Sequence, residues 1–375
     1  MILNMEQEMV RDAVRAFVQQ QIWPQAAKWD REHTFPVEVH RGLAALGAYG
    51  ICVPEEYGGA GLNYLTLALV LEEIAAGDGG TSTAISVTNC PVNAIMMRYG
   101  TECQKRKWLT RLSRGELLGV FCLSEPHAGS DAANLRTTAR KVGDHYVIDG
   151  VKQFITSGKN GHLAVVIAMT DKAAGKRGMS AFLVPTDTPG YHVSRLEEKV
   201  GQHSSDTAQI NFESCCIPEE NRIGAEGEGY RIALSALEGG RIGIAAQSLG
   251  MARSAFEVAL AYSKERESFG SRIFDHQAVG FRLAECAMQL EAARQLIWHA
   301  ATLRDAGQPC LKEAAMAKLF ASEMAERVCS AAIQTLGGYG YVQDFAIERI
   351  WRDVRVCQIY EGTSDVQKML IQRSL

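Results

Sequence analysis

Three long alanine-rich stretches, Tyr230 to Arg266, His276 to Ala306 and Leu311 to Leu336, constrain the fold most. Helices of that length joined by short loops must pack as antiparallel neighbours, so the last part of the chain is predicted to be a four- or five-helix bundle. The first part is helical too. Val10, Val14, Phe17 and Val18 make one apolar stripe, and Leu65 to Ala76 is an alanine- and leucine-rich segment that stops before Gly77. Between these parts the pattern changes to short strands. Thr137 to Val142 and His145 to Asp149 flank Gly143-Asp144, a two-residue hairpin turn with glycine first, and further strands are predicted over Leu163 to Met169, Met179 to Val184 and Thr207 to Phe212. Strands without long helices between them imply a compact antiparallel β domain and speak against a dinucleotide fold with crossover helices. A chain of 375 residues exceeds what one core normally serves. The expected architecture is therefore multidomain α+β: helical over 1–116, β over 117–225, and a helical bundle over 226–375.

The 47% hydrophobic content is ample for such cores. The 39 basic and 43 acidic residues are spread along the chain with no long basic run, so nucleic acid is not an expected partner. The first residues lack the charged and apolar regions of an export signal, and no apolar run approaches the ~18 residues a membrane span needs. A soluble protein is expected, cytoplasmic or in an organelle matrix if a transit peptide has been removed. Ten cysteines without CxxC or paired metal spacing read as reduced core thiols, with no metal site.

Near the C-terminus Ile347, Ile350, Trp351 and Val354 recur at helical spacing, which predicts an amphipathic helix ending near Tyr360. Ser364 and Gln367 form a capping-box signal for a new helix, and Gly362 permits a sharp break between the two. Glu361 falls in that break. An isolated glutamate there is solvated ~90% of the time. Its neighbours Ile359, Tyr360 and Gly362 instead suggest an apolar, tight setting, which would raise the carboxyl pKa by desolvation and suit it to be a general base.

The segment Ile359-Tyr360-Glu361-Gly362-Thr363-Ser364 resembles the base-bearing segment of the acyl-CoA dehydrogenases, flavoenzymes that oxidise acyl-CoA thioesters to 2-enoyl-CoA. Further resemblances follow in the family's order from Pro54 to Arg373. Pro54 to Gly59 is similar to its Pro-Glu-x-Tyr-Gly-Gly loop. Phe121 to Asp131 resembles its Tyr-x-x-Thr-Glu-Pro-Gly-Ala-Gly-Ser-Asp signature and Gln153 to Ser157 its Trp-Ile-Thr-Asn signature, both of which line the flavin. This implies that Phe121, Leu123, Ser124, Ser130, Phe154 and Thr156 surround FAD, with Ser130 also facing the thioester. The residue types fit, because the ring needs apolar walls and a few donors. Phe121 for Tyr and Phe154 for Trp keep a stacking surface; His127 for Gly has no assigned role.

Leu237 to Arg241 resembles the acidic-x-x-Arg element beside the CoA tail, which would place Glu238 and Arg241 on the substrate. Their spacing equally allows a helix-surface ion pair, and both readings stand. Arg266, Phe269 and Gln277 resemble the element that closes over the flavin pyrophosphate, for which a guanidinium is chemically apt. Gln334, Gly337 and Gly338 resemble the Gln-x-x-Gly-Gly turn on the adenosine half. The resemblance also assigns Thr363 and Asp365 to the cofactor and Tyr360 and Gly362 to the substrate. In the family the Arg266 and Gln334 elements reach the flavin of a neighbouring subunit, which implies a homotetramer.

The chemistry implied is α-proton abstraction by Glu361, transfer of the β-hydrogen as hydride to N5 of FAD, a trans-2-enoyl-CoA product, and electron delivery to an electron-transfer flavoprotein. Thioester α-protons are so weakly acidic that the carbonyl must be held by preorganised donors, in the family the base's own N–H and a ribityl hydroxyl. Gly240, rather than glutamate, before Arg241 argues against an isovaleryl-type base position. Gly239 to Ala245 and Met316 to Ala321 look most like short-chain and short branched-chain members. The alternatives are a flavin oxidase or monooxygenase on the same scaffold, and a non-enzymatic CoA-binding helical protein.

Overall fold

The computed structural model describes residues 2–375. Helices α1 (Met5–Phe17), α2 (Trp23–Glu32), α3 (Val37–Ala45), α4 (Tyr64–Gly77), α5 (Gly79–Val87), α6 (Ala94–Tyr99), α7 (Glu102–Gln104) and α8 (Thr110–Ser113) precede the sheet. α1 begins with a reciprocal cap: the Asn4 side chain accepts the Gln7 N–H, and the Gln7 side chain accepts the Asn4 N–H. α5 runs into α6 through a π-helical turn, Thr88–Asn93, with Pro91 inside it; the wider turn accommodates a residue that cannot donate to the helix ladder.

The sheet comprises β1 (Gly119–Cys122), β2 (Thr138–Val142), β3 (His145–Thr156), β4 (Leu163–Met169), β5 (Met179–Pro185), β6 (Tyr191–Leu196), β7 (Thr207–Pro218) and β8 (Arg222–Ile223). Its order is β6-β7-β3-β2-β4-β5-β8, with β1 beside β4. Most pairs are antiparallel, as expected, and Gly143 makes the β2–β3 turn with a positive φ. The β1–β4 pair and the single β2–β4 contact are parallel. β4 and β5 are buried on both faces, and alternate residues enter different cores. Leu163, Val165, Ile167, Met179, Ala181 and Leu183 pack towards Ile95, Leu109 and Ile232, whereas Val166, Phe182 and Val184 pack with Tyr146, Tyr191 and Phe212. Bulges in β3 against β7 lie between Ile148 and Gly150 and between Lys152 and Ile155.

The last part contains α9 (Gly229–Glu265), a hairpin of β9 (Glu267–Ser268) and β10 (Ser271–Arg272), α10 (Gln277–Asp305), α11 (Leu311–Leu336), α12 (Gly338–Tyr341), α13 (Ile347–Val354) and α14 (Ser364–Gln372). The three long helices lie where their alanine-rich stretches predict. Less expected is how fully the two helical parts merge. Leu67, Leu71 and Ile74 of α4 share one core with Ala245 and Leu249 of α9, Leu290 and Ile297 of α10, and Ala317 and Ala321 of α11. A Cβ on Gly250 would lie 2.1 Å from the Glu72 carbonyl oxygen, so only glycine lets α9 approach α4 so closely. Asp305, at the end of α10, caps α4 by accepting the N–H groups of Tyr64 and Leu65 at 2.7 and 3.1 Å.

Candidate active site

The site is built on the break after α13. The predicted helix to Tyr360 is shorter: α-helical bonding ends at Val354, and one 3-10 turn follows over Arg355–Gln358. The cap of α14 also differs from the sequence signal. Thr363, not Ser364, accepts the Val366 N–H, and Gln367 turns back to donate to the carbonyls of Glu361 and Gly362 at 3.2 and 2.8 Å. Between these elements Glu361 has φ 55° and Gly362 φ 96°. A non-glycine residue held there costs ~1–3 kcal/mol, a strain that persists only where surrounding contacts over-determine it. Lys318 of α11 supplies one such contact, donating from Nζ to the Gly362 carbonyl at 2.7 Å.

The Glu361 Oε2 atom is shut off from solvent and makes no hydrogen bond. A Cβ on Gly240 of α9 would lie 2.6 Å from it, so glycine at 240 is what admits the carboxylate. Burial pushes the Glu361 pKa up to about 7, against the opposing pull of Arg241 and Lys318. The raised value agrees with the sequence expectation, but Ile359 does not provide the wall: it is 52% exposed. The enclosing groups come from α9 and α11.

Arg241 is buried, and its Nε and one terminal nitrogen have no partner. The Glu238–Arg241 ion pair weighed from the sequence is not formed. Glu238 instead pairs with Arg304 at 2.9 Å and accepts the Cys310 thiol at 3.4 Å, while the Arg304 guanidinium lies 4.2 Å over the Tyr64 ring. An arginine reaching in from α10 competes better than one a turn along the same helix. One turn of α9 is thus bordered by Arg304 and Tyr64 at Glu238 and by Glu361 at Gly240. Arg241 and Glu361 thus bring buried polar atoms without protein partners to the same turn of α9, where a polar ligand could complete their bonding.

The segment after β1 is clamped to β3. Lys152, fully buried, donates to the Leu123 carbonyl at 3.0 Å and to Glu125 at 2.9 Å. Glu125 also accepts the N–H groups of Arg136 and Thr137, and Gln153 N–H donates to the Ser124 carbonyl. His127 bonds the Asn134 carbonyl at 3.1 Å and lies 3.7 Å from Glu125, so it closes this loop. Within the second β3 bulge Phe154 has φ 60° and is 65% exposed, with Thr156 half-buried two residues on. Phe121 is half-buried, Leu123 buried and Ser130 exposed.

A second group lies elsewhere. Arg266, Gln334, Gly337 and Gly338 line a cleft of about 480 Å³ with Tyr262 and Tyr339. Gly337 ends α11 with φ 61°, and a Cβ at 337 or 338 would meet nothing. Phe269 is 99% exposed in the β9–β10 turn, and Gln277 is the exposed first residue of α10. This cleft shares no residue with the Glu361 group. Thr363 is occupied as the α14 cap, and Asp365 points to solvent with Lys368 at 3.8 Å. Tyr360 accepts a hydrogen bond from Gln202 at 3.4 Å. Sequence reasoning gives no role to Lys318 or Arg304 and reads Gln367 only as part of a helix cap. A lysine among Ala314, Ala317 and Ala321 is the one signal that could have been read, since lysines seldom occupy a buried helix face.

A helical part and a bundle that share one core, a sheet packed against them, and a glutamate with a buried, unpartnered carboxyl oxygen define the class: this chain belongs to the acyl-CoA dehydrogenase family, matching its N-terminal domain over residues 4–116, its middle domain over 120–215 and its C-terminal domain over 227–375. It is a flavin-linked oxidoreductase acting on a CH–CH bond. Among individual relatives, the chain is 44% identical to the mitochondrial short-chain specific acyl-CoA dehydrogenase of Homo sapiens over 97% of this chain and 88% of that protein. Its structure is similar to the butyryl-CoA dehydrogenase of Megasphaera elsdenii, with TM-score 0.98 and 39% identity over 100% of this chain and 99% of that one. A chain from a structure described as the electron transferring flavoprotein of Acidaminococcus fermentans also matches, with TM-score 0.98 and 43% identity over 100% and 98%.

Proposed function

We propose that this enzyme converts short-chain acyl-CoA to trans-2-enoyl-CoA with Glu361 as the base and FAD as the cofactor, and that an electron-transfer flavoprotein re-oxidises it. The observation that carries the reading is the buried, unpartnered Oε2 of Glu361 against Gly240. With a pKa of about 7 it is strong enough to take a proton and is still largely ionised at slightly alkaline pH. The Glu361 N–H has no acceptor among the described residues, which leaves it for the thioester carbonyl, where it would stabilise enolate charge. Arg241 keeps positive charge beside the carboxylate, and Glu238 is tied to Arg304 instead of standing free. The short-chain assignment is supported by the names of the human and Megasphaera relatives.

The residues suit FAD. Phe154 and Phe121 offer aromatic surface, Ser124 and Thr156 offer hydroxyls, and the cleft at Arg266, Gln334, Gly337 and Gly338 joins a guanidinium to an open glycine cradle fit for a pyrophosphate and its adenosine. When bound, FAD supplies the two-electron acceptor. We divide the chain at 1–116, 117–225 and 226–375, with the middle part as the flavin platform. No helix among the described residues is long and apolar enough to cross a membrane. We place the enzyme with its acceptor in the cytoplasm or an organelle matrix.

Anaerobic rapid mixing with straight and branched acyl-CoAs tests the reading. Four- and five-carbon substrates should bleach the flavin fastest, and faster reduction by a twelve-carbon substrate would overturn the size assignment. Glu361→Gln should retain FAD and bind acyl-CoA but reduce flavin roughly 10²- to 10⁴-fold more slowly. A wild-type rate in that variant would remove Glu361 from the role of base.

A further inference from the structure

Lys318 is a fully buried lysine without a carboxylate partner. It lies on α11 beside Ala314, Ala317 and Ala321, and none of the ion pairs among the described residues includes it. Burying an ammonium costs several kcal/mol unless something compensates, so such a residue needs a reason to stand there. Its hydrogen bond is to one atom, the Gly362 carbonyl oxygen, which also accepts from Gln367, itself fully buried. That carbonyl follows two successive residues with positive φ, Glu361 and Gly362. Donors on two different helices therefore converge on the peptide that fixes where the base points.

We propose that Lys318 is a positioning residue for the reaction: from α11 its buried ammonium, together with Gln367, grips the Gly362 carbonyl and holds Glu361 in the left-handed conformation that sets its carboxylate against Gly240. This rests on Glu361 being the base. The groups that face the Glu361 carboxylate are Arg241 from α9, Lys318 from α11 and the Cys90 thiol from the π turn. Lys318 is in turn faced by Cys357, Glu361, Arg241 and Glu323. Its charge thus acts on the same carboxylate that its hydrogen bond orients. A lysine serving only to fill the helix interface would do neither.

The test compares flavin-loaded wild type with Lys318→Met, Lys318→Gln and Glu361→Gln. In both lysine variants flavin reduction at neutral pH should fall at least about tenfold, because misplacing the base costs rate steeply. Loss of the neighbouring positive charge makes Glu361 ionise at higher pH, so the acidic limb of the reduction rate should move up by about one pH unit. Amide hydrogen exchange over residues 359–363, measured without substrate, should quicken as the grip is lost. If Lys318→Met does not accumulate, the shorter and polar Lys318→Gln gives the same two readings. An unchanged limb and unchanged exchange, with only a lower melting temperature, would overturn the proposal. A wild-type rate in Glu361→Gln would instead overturn the assignment of the base and leave the grip to be judged by exchange alone.

Discussion

A carboxylate with a pKa of about 7 is roughly half ionised at neutral pH, and only its ionised form can take a proton. The rate of flavin reduction in the free enzyme should therefore rise with pH through about 7 and fall away below it, which rapid-mixing measurements from pH 5.5 to 9 would show. The same shift has a consequence of opposite direction for stability. Glu361 has a folded pKa above its ordinary value, so its contribution to stability is fully present at pH below the ordinary carboxylate range and is lost as pH rises through about 7. Asp353, raised to about 7 by burial and by Asp78 against the pull of Arg349, adds in the same sense. Gain of activity and loss of stability thus share a pH window. Gly240→Ala separates position from acidity: its new methyl would lie 2.6 Å from Oε2, and the far end of the glutamate can swing away at little cost to folding. Reduction should slow by roughly tenfold or more, since small misplacements at a reacting atom cost up to about 10² in rate. An unchanged melting temperature would show that the fold is not the cause.

Among the elements, the clamp between the segment after β1 and β3 is the most exposed to a single change. Burial by itself would push the Glu125 pKa up, but Lys152 and the Arg136 N–H hold it below the usual carboxylate range, so it stays charged inside the protein. Lys152→Met leaves that charge without its partner, and breaking a buried pair in this way costs about 3–5 kcal/mol. Denaturant unfolding should show a loss of that order. The variant should also release flavin more readily, because Leu123 and Ser124 lose their tether. These clamps are where the sequence is hardest to read. Helices α9, α10 and α11 and the Gly143 turn are legible because each is set by a local pattern, alanine-rich periodicity or a glycine between strands. β1 and β8 are too short to show alternation, and β6 exposes most of its residues, so neither kind carries a strand signal. Glu361 is legible from its motif, yet its partners are not. Glu238 meets Arg304 66 residues away and Lys318 meets Gly362 44 residues away, contacts that no local spacing announces. The α14 cap is misread by one residue because Gln367, which completes a capping box in the sequence, is drawn away to the Glu361 and Gly362 carbonyls.

At the scale of the whole molecule, the two ends of the chain form one packed body, joined by the core between α4, α9, α10 and α11 and by the Asp305 cap on α4. The parts assigned to the cofactor do not gather in one place on that body. Phe121, Phe154 and Thr156 lie on the sheet and Ser124 just after β1, whereas Arg266, Gln334, Gly337 and Gly338 line a cleft on the helical part with none of these residues in its wall. A second chain could bring such halves together. The surface of α10 has the character of a contact: Phe281 and Met288, seven residues apart and so on one face, are 63% and 65% exposed, and Phe269 stands almost fully in solvent nearby in sequence. The enzyme should accordingly purify yellow, with one FAD per chain, as a homotetramer. Phe281→Glu combined with Met288→Lys should shift its mass in solution downward and release FAD together, while far-ultraviolet circular dichroism keeps the helical signal of the wild type. Coupled loss of assembly and flavin would mean that each site is completed by a neighbour's Arg266 and Gln334. A monomer that keeps its full complement of FAD would show instead that one chain suffices, and that the exposed face of α10 serves some other contact.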